Sequence, residues 1–161
     1  MNEEQANSPR ILLIGYGNPA RGDDKAGWLV ADRIEERWGN RIDVLRFHQL
    51  DIVLAEQFAN YDVVVFVDAE TTDLGQGRPP TLLQPSLELR EVTHILEPAS
   101  VLGICKAVYQ AEPTAYLVTV SAETFEFWET ISAETRRDID RAVADIDELL
   151  DGLMNQSDSF S

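Results

Sequence analysis

Cysteine is all but absent. Cys105 is the only one in 161 residues, so no disulfide can close within the chain and no thiolate cluster can hold zinc. Histidine is nearly as scarce, with only His48 and His94. No run of 18 apolar residues occurs, which leaves no candidate membrane span. Positive charge is the third shortage: 13 Lys and Arg face 29 Asp and Glu, a formal net charge of −16. Such a chain repels phosphate backbones and anionic lipid heads, and no local basic run offsets this. Neither nucleic acid nor a membrane surface is therefore expected as a partner. The same charge disfavours self-association, and a monomer is expected. The first ten residues are polar and carry two glutamates, unlike a secretory signal, so a cytoplasmic location is expected.

What is present suffices for one core. Hydrophobic residues make up 44% of the chain and charged residues 26%, which excludes disorder and collagen-like repeats. The length suits one domain spanning 1–161, with a core at about 10–154 and flexible ends at 1–9 and 155–161. Short apolar runs at Ile11 to Ile14 and Val63 to Val67 read as strands buried on both faces. Asp43 to Phe47 and Ala115 to Val120 read as further strands, and Thr81 to Leu83 as a brief edge strand inside a long loop over 70–86.

Between them lie helical patterns. Gly27, Val30, Ala31, Ile34 and Trp38 share one face of a helix that stops at Gly39. Asp51 is placed to cap a helix through Phe58, and Pro98 to open one running to about Tyr109 with Val101, Ile104, Cys105 and Val108 inward. Ser132 caps a last helix whose inward stripe is Ile139, Val143, Ile146, Leu150 and Leu153. Strands alternating with helices predict an α/β fold: a single-domain, three-layer αβα sandwich around a mostly parallel, twisted sheet.

In such sheets ligands bind beyond the carboxyl ends of the strands, where strand order reverses. Two acidic positions fall there. The turn GYGNPARGDD delivers Asp23 and Asp24 ahead of the first helix, and VVVFV delivers Asp68 as that strand ends. If the first and third strands are neighbours, Asp24 and Asp68 face one crevice. Capping a helix would occupy one aspartate of the pair and leave the other unexplained. His94 lies on a connection after the long loop, where functional residues gather, and His48 directly follows a strand. Two carboxylates and an imidazole suit a first-row divalent metal with positions left open.

Rival chemistries lack their settings. There is no G-x-S-x-G elbow, and Cys105 falls on the inward face of a helix, so a Ser or Cys nucleophile is disfavoured. Gly15 and Gly17 begin a dinucleotide fingerprint, but Ala20 takes its third position and two aspartates would sit beside the pyrophosphate. Gly17-Asn18-Pro19 resembles the opening turn of peptidyl-tRNA hydrolases, against which the net charge argues.

The stretch ILLIGYGNPARGDDKAGW resembles the N-terminal signature of the maturation proteases of nickel–iron hydrogenases: a strand, Gly-x-Gly-Asn, an acidic pair and a helix. FHQLDIVLAEQF, VVVFVDAE and THILEPASVLGICKAVYQAEPTAYLVTV resemble that family's later blocks, in order, so the likeness covers most of 11–150. The resemblance implies a five-stranded sheet flanked by helices. It implies a metal-dependent endopeptidase that removes the C-terminal extension of the hydrogenase large-subunit precursor after nickel insertion. Asp24, Asp68 and His94 would be the catalytic and metal-contacting residues, with Asp23 and Asn18 supporting. Nickel would arrive with the precursor, and no organic cofactor is implied. A non-catalytic, nickel-sensing or chaperone-like module would use the same residues. Lys25, Glu70 and the loop 71–80 depart from the family's pattern; Lys25 would pair with Asp24 or Asp68, or point to solvent.

Overall fold

The apolar runs assemble into a five-stranded sheet flanked on both faces by helices. The computed structural model describes residues 8–71, 75–88, 96–127 and 130–158. Its elements are β1 (Ile11–Tyr16), α1 (Ala26–Trp38), β2 (Asp43–Phe47), α2 (Leu54–Phe58), β3 (Val63–Thr71), β4 (Thr81–Leu83), α3 (Pro98–Tyr109), β5 (Thr114–Ala122) and α4 (Ala133–Asp158). The strand order is β2-β1-β3-β5-β4. The first four are parallel, and β4 runs antiparallel along the edge of β5.

Alternation divides the core in two. Ile11, Leu13, Val63, Val65, Val67, Val118 and Val120 face α1 and α4, against Val30, Ile34, Val143, Ile146 and Leu150. Leu12, Ile14, Val64, Phe66 and Ala115 face α2 and α3, against Leu54, Phe58, Val101, Leu102 and Cys105. Cys105 is fully buried, and burial pushes its thiol up, so it is a packing residue. Among the described residues no helix is long and apolar enough to cross a membrane.

Four expectations shift. β3 runs on to Thr71, paired with β5 throughout, so Asp68 lies within a strand and not at its end. It does lie just past the last residue that β3 shares with β1, the Gly15–Val67 pair. α2 is a short helix starting at Leu54, and Asp51 works one turn earlier, accepting the Val53 N–H at 3.0 Å. In α3 the buried stripe ends at Cys105, before the helix ends, leaving Val108 64% exposed. α4 continues through Asp158, past the expected end at 154. No Pro follows Met154 to stop it, and Leu153 and Met154 still pack on the core. Residues 1–7 and 159–161 of the expected flexible ends lie outside the described residues.

Beyond β4, the edge of β5 is closed by α4 together with Arg78, whose carbonyl accepts the Thr119 N–H at 3.2 Å. Asp138 accepts the N–H groups of Ser121 and Gly77, both at 2.7 Å, and Arg141 donates to the Thr119 carbonyl at 2.7 Å. The Thr135 hydroxyl takes the Ser121 carbonyl at 2.7 Å. A sheet edge is thereby satisfied without another strand. Burial opposes the charge of Asp138, but Arg141 and the two N–H donors outweigh it and hold its carboxyl below the usual range. A depressed carboxyl contributes stability above its unfolded pKa and loses it as pH falls through the folded value. Asp138→Asn should therefore cost about 1–3 kcal/mol at pH 7. Urea denaturation should show that cost shrinking as pH falls below about 4; an unchanged cost would contradict the charged clamp.

Candidate active site

Strand order reverses between β1 and β3, which places the crevice where these strands part at their carboxyl ends. Two glycines let the acidic turn come close. A Cβ on Gly27 would stand 2.7 Å from the Val67 carbonyl and 2.8 Å from that of Tyr16, so only glycine lets the start of α1 lie on the strand ends. Gly17 has φ +137°, and a Cβ there would meet the Asp24 carbonyl at 2.2 Å. The chain then folds back: Asn18 Oδ1 accepts the Ala20 N–H at 2.9 Å, and Asp24 Oδ2 accepts the Asn18 N–H at 2.8 Å. The Gly17 N–H goes to the Phe47 carbonyl at 3.1 Å. The N–H groups of Gly17, Asn18 and Ala20 that a pyrophosphate would use are thus spent inside the protein, which disposes of the dinucleotide reading.

The acidic pair does two jobs, and neither is capping α1, which has no side-chain cap bond. Asp23 and Asp24 lie in a 3-10 turn at Gly22–Lys25. Asp23 is fully buried and turned toward the end of β5 and the start of α4. It accepts the N–H groups of Glu123 (2.7 Å), Thr124 (3.1 Å) and Ser132 (2.9 Å), and the Ser132 hydroxyl at 2.9 Å. Burial opposes its charge, but these donors prevail and hold its carboxyl below the usual range. Ser132 in turn caps α4, its Oγ accepting the Thr135 N–H at 3.3 Å. Asp23 thus supports the site by fixing the turn. Asn18 supports it by shaping the same turn.

Asp24 is partly exposed, and its charge reaches Asp68. Unbroken β3–β5 register puts Asp68 and Glu70 on the Val64 and Phe66 side, facing α2 and α3. Burial pushes the Asp68 carboxyl up to about 6. The charges of Asp24 and Glu70 push the same way, while the Tyr16 hydroxyl and the Ala69 N–H, both donating to it, pull back. Burial, together with the Asp68 charge, drives the Tyr16 phenol far above its usual pKa, so it stays protonated as a donor. Tyr16 escaped the sequence reading. The signal was its place two residues after Ile14, on the same face as Asp68. Glu97, just before α3, also lies within electrostatic reach of Tyr16.

Other residues fall outside. Arg78 holds Glu70 at 2.6 and 3.1 Å and keeps its carboxyl low, so that charge is already committed. Among the described residues no ion pair joins Lys25 to Asp24 or Asp68. His48 is exposed after β2. His94 lies outside the described residues, and among those described no three His, Cys, Asp or Glu side chains gather as a metal site. The crevice therefore presents two carboxylates. Their hard oxygens suit a divalent cation, and a carboxyl near 6 can exchange a proton close to neutral pH.

A doubly wound α/β sandwich of this topology is also the architecture of known enzymes. The chain has the fold of the [NiFe] hydrogenase maturation proteases. It matches the maturation protease HycI of Thermococcus kodakarensis KOD1 with a TM-score of 0.68 and 28% identity, over 89% of this chain and 93% of that one. The hydrogenase maturating endopeptidase HybD of E. coli matches with a TM-score of 0.64 and 22% identity, over 85% and 89%. A hydrogenase 2 maturation peptidase from a Thaumarchaeota archaeon gives 0.61 and 20%, over 88% and 97%. No family model and no curated protein sequence matches the chain.

The two aspartates of the pair should separate in a melt. Asp23→Asn removes the charge and replaces one of the two oxygens that accept these four bonds with an N–H₂ donor, and should lower stability by about 2–4 kcal/mol, whereas Asp24→Asn should stay within about 1 kcal/mol of the parent. Equal losses would erase the distinction. Asp68 behaves oppositely, because a raised carboxyl favours folding below its unfolded pKa and that contribution is lost as pH rises through about 6. Asp68→Asn should be more stable than the parent at pH 8, by up to about 3 kcal/mol, with the gap closing by about pH 4. Parallel stability curves for the two proteins would refute the raised carboxyl.

Proposed function

We propose that this protein is an endopeptidase that removes the C-terminal extension of a nickel–iron hydrogenase large-subunit precursor after nickel has been inserted. The observation that carries the reading is the approach of Asp24 and Asp68 at the parting of β1 and β3, in a fold shared with named maturation proteases. Nickel belongs to the substrate here, held by the precursor, and Asp24, Asp68 and His94 would complete its recognition. The donor set fits. Asp24 keeps its backbone tie through one oxygen, Oδ2, and Asp68 keeps its place through Tyr16 and Ala69. Each carboxylate is thus aimed before the substrate arrives, which spares ordering cost on binding.

Cleavage becomes conditional on nickel because a precursor lacking it offers the crevice no cation, and two carboxylates repel an unmetallated carbonyl. Held between these carboxylates, the precursor's nickel would supply Lewis-acid polarisation of the scissile carbonyl or of a water beside it. Asp68, titrating near neutral pH, is placed to hold or release the proton that hydrolysis moves. The resident chain supplies no organic cofactor chemistry in this reading.

Intact mass of nickel-loaded and nickel-free precursor after incubation with the protein tests the proposal. Loss of a C-terminal peptide from the loaded sample alone is expected. Asp24→Asn, Asp68→Asn and His94→Ala should each slow that loss at least about 100-fold while the fold persists. Processing at the parent rate by all three would overturn the site, and retention of full mass with confirmed nickel would overturn the activity.

A further inference from the structure

We propose that the groove between α1 and the start of α4 docks an acidic segment of the protein substrate, anchored by an apolar side chain. This rests on the reading that the chain acts on a protein precursor. The groove, about 410 Å³, has Leu29, Ile131 and Ile139 as apolar lining and Lys25 and Arg136 as cations on its sides. Its first lining residue, Lys25, follows Asp24 directly in the chain.

The disposition of cations singles this groove out. Arg33, Arg37, Arg46, Arg78, Lys106 and Arg141 are all ion-paired. Arg10, Arg21 and Arg41 stack over Tyr61, Phe127 and Trp38. Among the described residues only Lys25, Arg136 and Arg137 carry cationic side chains engaged with no carboxylate or ring. In a chain with a net charge of −16, carboxylates are plentiful enough to satisfy every cation. Yet two of these three flank the same apolar groove. Its own acidic residue, Asp32, is already held by Arg46 at 2.6 Å, and Arg33 by Asp140. What remains is an apolar channel with unspent positive charge, complementary to a carboxylate beside an aliphatic or aromatic side chain.

The occupant is a partner and not a second copy, because two bodies of −16 repel each other strongly over the remainder of their surfaces. Among the described residues neither cation has an ion pair to lose, so charge reversal is expected to leave the fold intact. That can be checked by thermal melt.

The experiment measures binding of nickel-loaded large-subunit precursor to the full chain and to Lys25→Glu, Arg136→Glu and Leu29→Ser, at about 50 and about 300 mM NaCl. Each variant should bind at least about fivefold more weakly, and the two reversals should lose most of the parent's salt dependence. Arg136→Glu is decisive, since it lies far in sequence from Asp24. Unchanged affinity in Arg136→Glu and Leu29→Ser would overturn the docking groove. So would a parent dimer in sedimentation that Arg136→Glu dissociates, which would make a second copy the occupant. Cleavage is followed in the same samples. A parent that cuts while the variants bind normally defeats the groove alone. A parent that binds without cutting defeats the endopeptidase reading and leaves the groove's comparison intact. Absence of any precursor binding by the parent defeats both.

Discussion

One buried carboxylate, Asp23, holds the acidic end of the molecule together. It gathers the first residues after β5, the cap of α4 and the turn before α1 around two oxygens. Those three pieces come from both ends of the chain. The donors are mostly backbone N–H groups that would otherwise be stranded at a strand end and a helix start, where an unmet donor costs as much as a lost hydrogen bond. A charge is the economical answer because a single side chain can accept from all of them, and charge-assisted bonds are the stronger kind. With that anchor fixed, the next residue, Asp24, projects from a turn that cannot drift. The division within the pair is therefore physical: one aspartate is saturated by donors and buried, and its neighbour is left with capacity to spare.

Asp68 carries the opposite balance. Nothing in its surroundings fully compensates its burial, and Asp24 adds a second negative charge. A folded protein keeps such a conflict only where the surroundings enforce it, and here the surroundings are the core of the sheet. Val63 to Val67 are buried on both faces and fix the strand, so the residue after them has no freedom to turn away. The rigidity that makes the core stable is what holds the uncomfortable carboxylate in place.

Much of this was legible in the residues. Buried runs, alternation and cap positions gave the strands, the helices and the three layers, because short-range patterning reports burial directly. Ser132 as a cap and Thr81–Leu83 as an edge strand follow from local chemistry and are observed. The facing of Asp24 and Asp68 depended on β1 and β3 being neighbours, and they are. What escaped notice depends on contacts distant in sequence. The partners of Asp23 lie about 100 positions away. The length of β3 is set by its pairing with β5. No local pattern encodes any of these.

The closing of the β5 edge by α4 bears on what happens if that helix loosens. Ser121, Thr119 and Gly77 would lose Asp138, Arg141 and Thr135 together, baring a short ladder of unpaired peptide groups beside a sheet of valines. Such an edge recruits strands from other molecules. The C-terminal helix is thus a gatekeeper against aggregation as well as a layer of the sandwich. Loosening from the start of α4, through Thr135, Asp138 and Arg141, would expose the adhesive edge while Val143, Ile146 and Leu150 still pack on the sheet. The strong like-charge repulsion between copies then serves as a second barrier, keeping molecules apart during the moments when the edge is open.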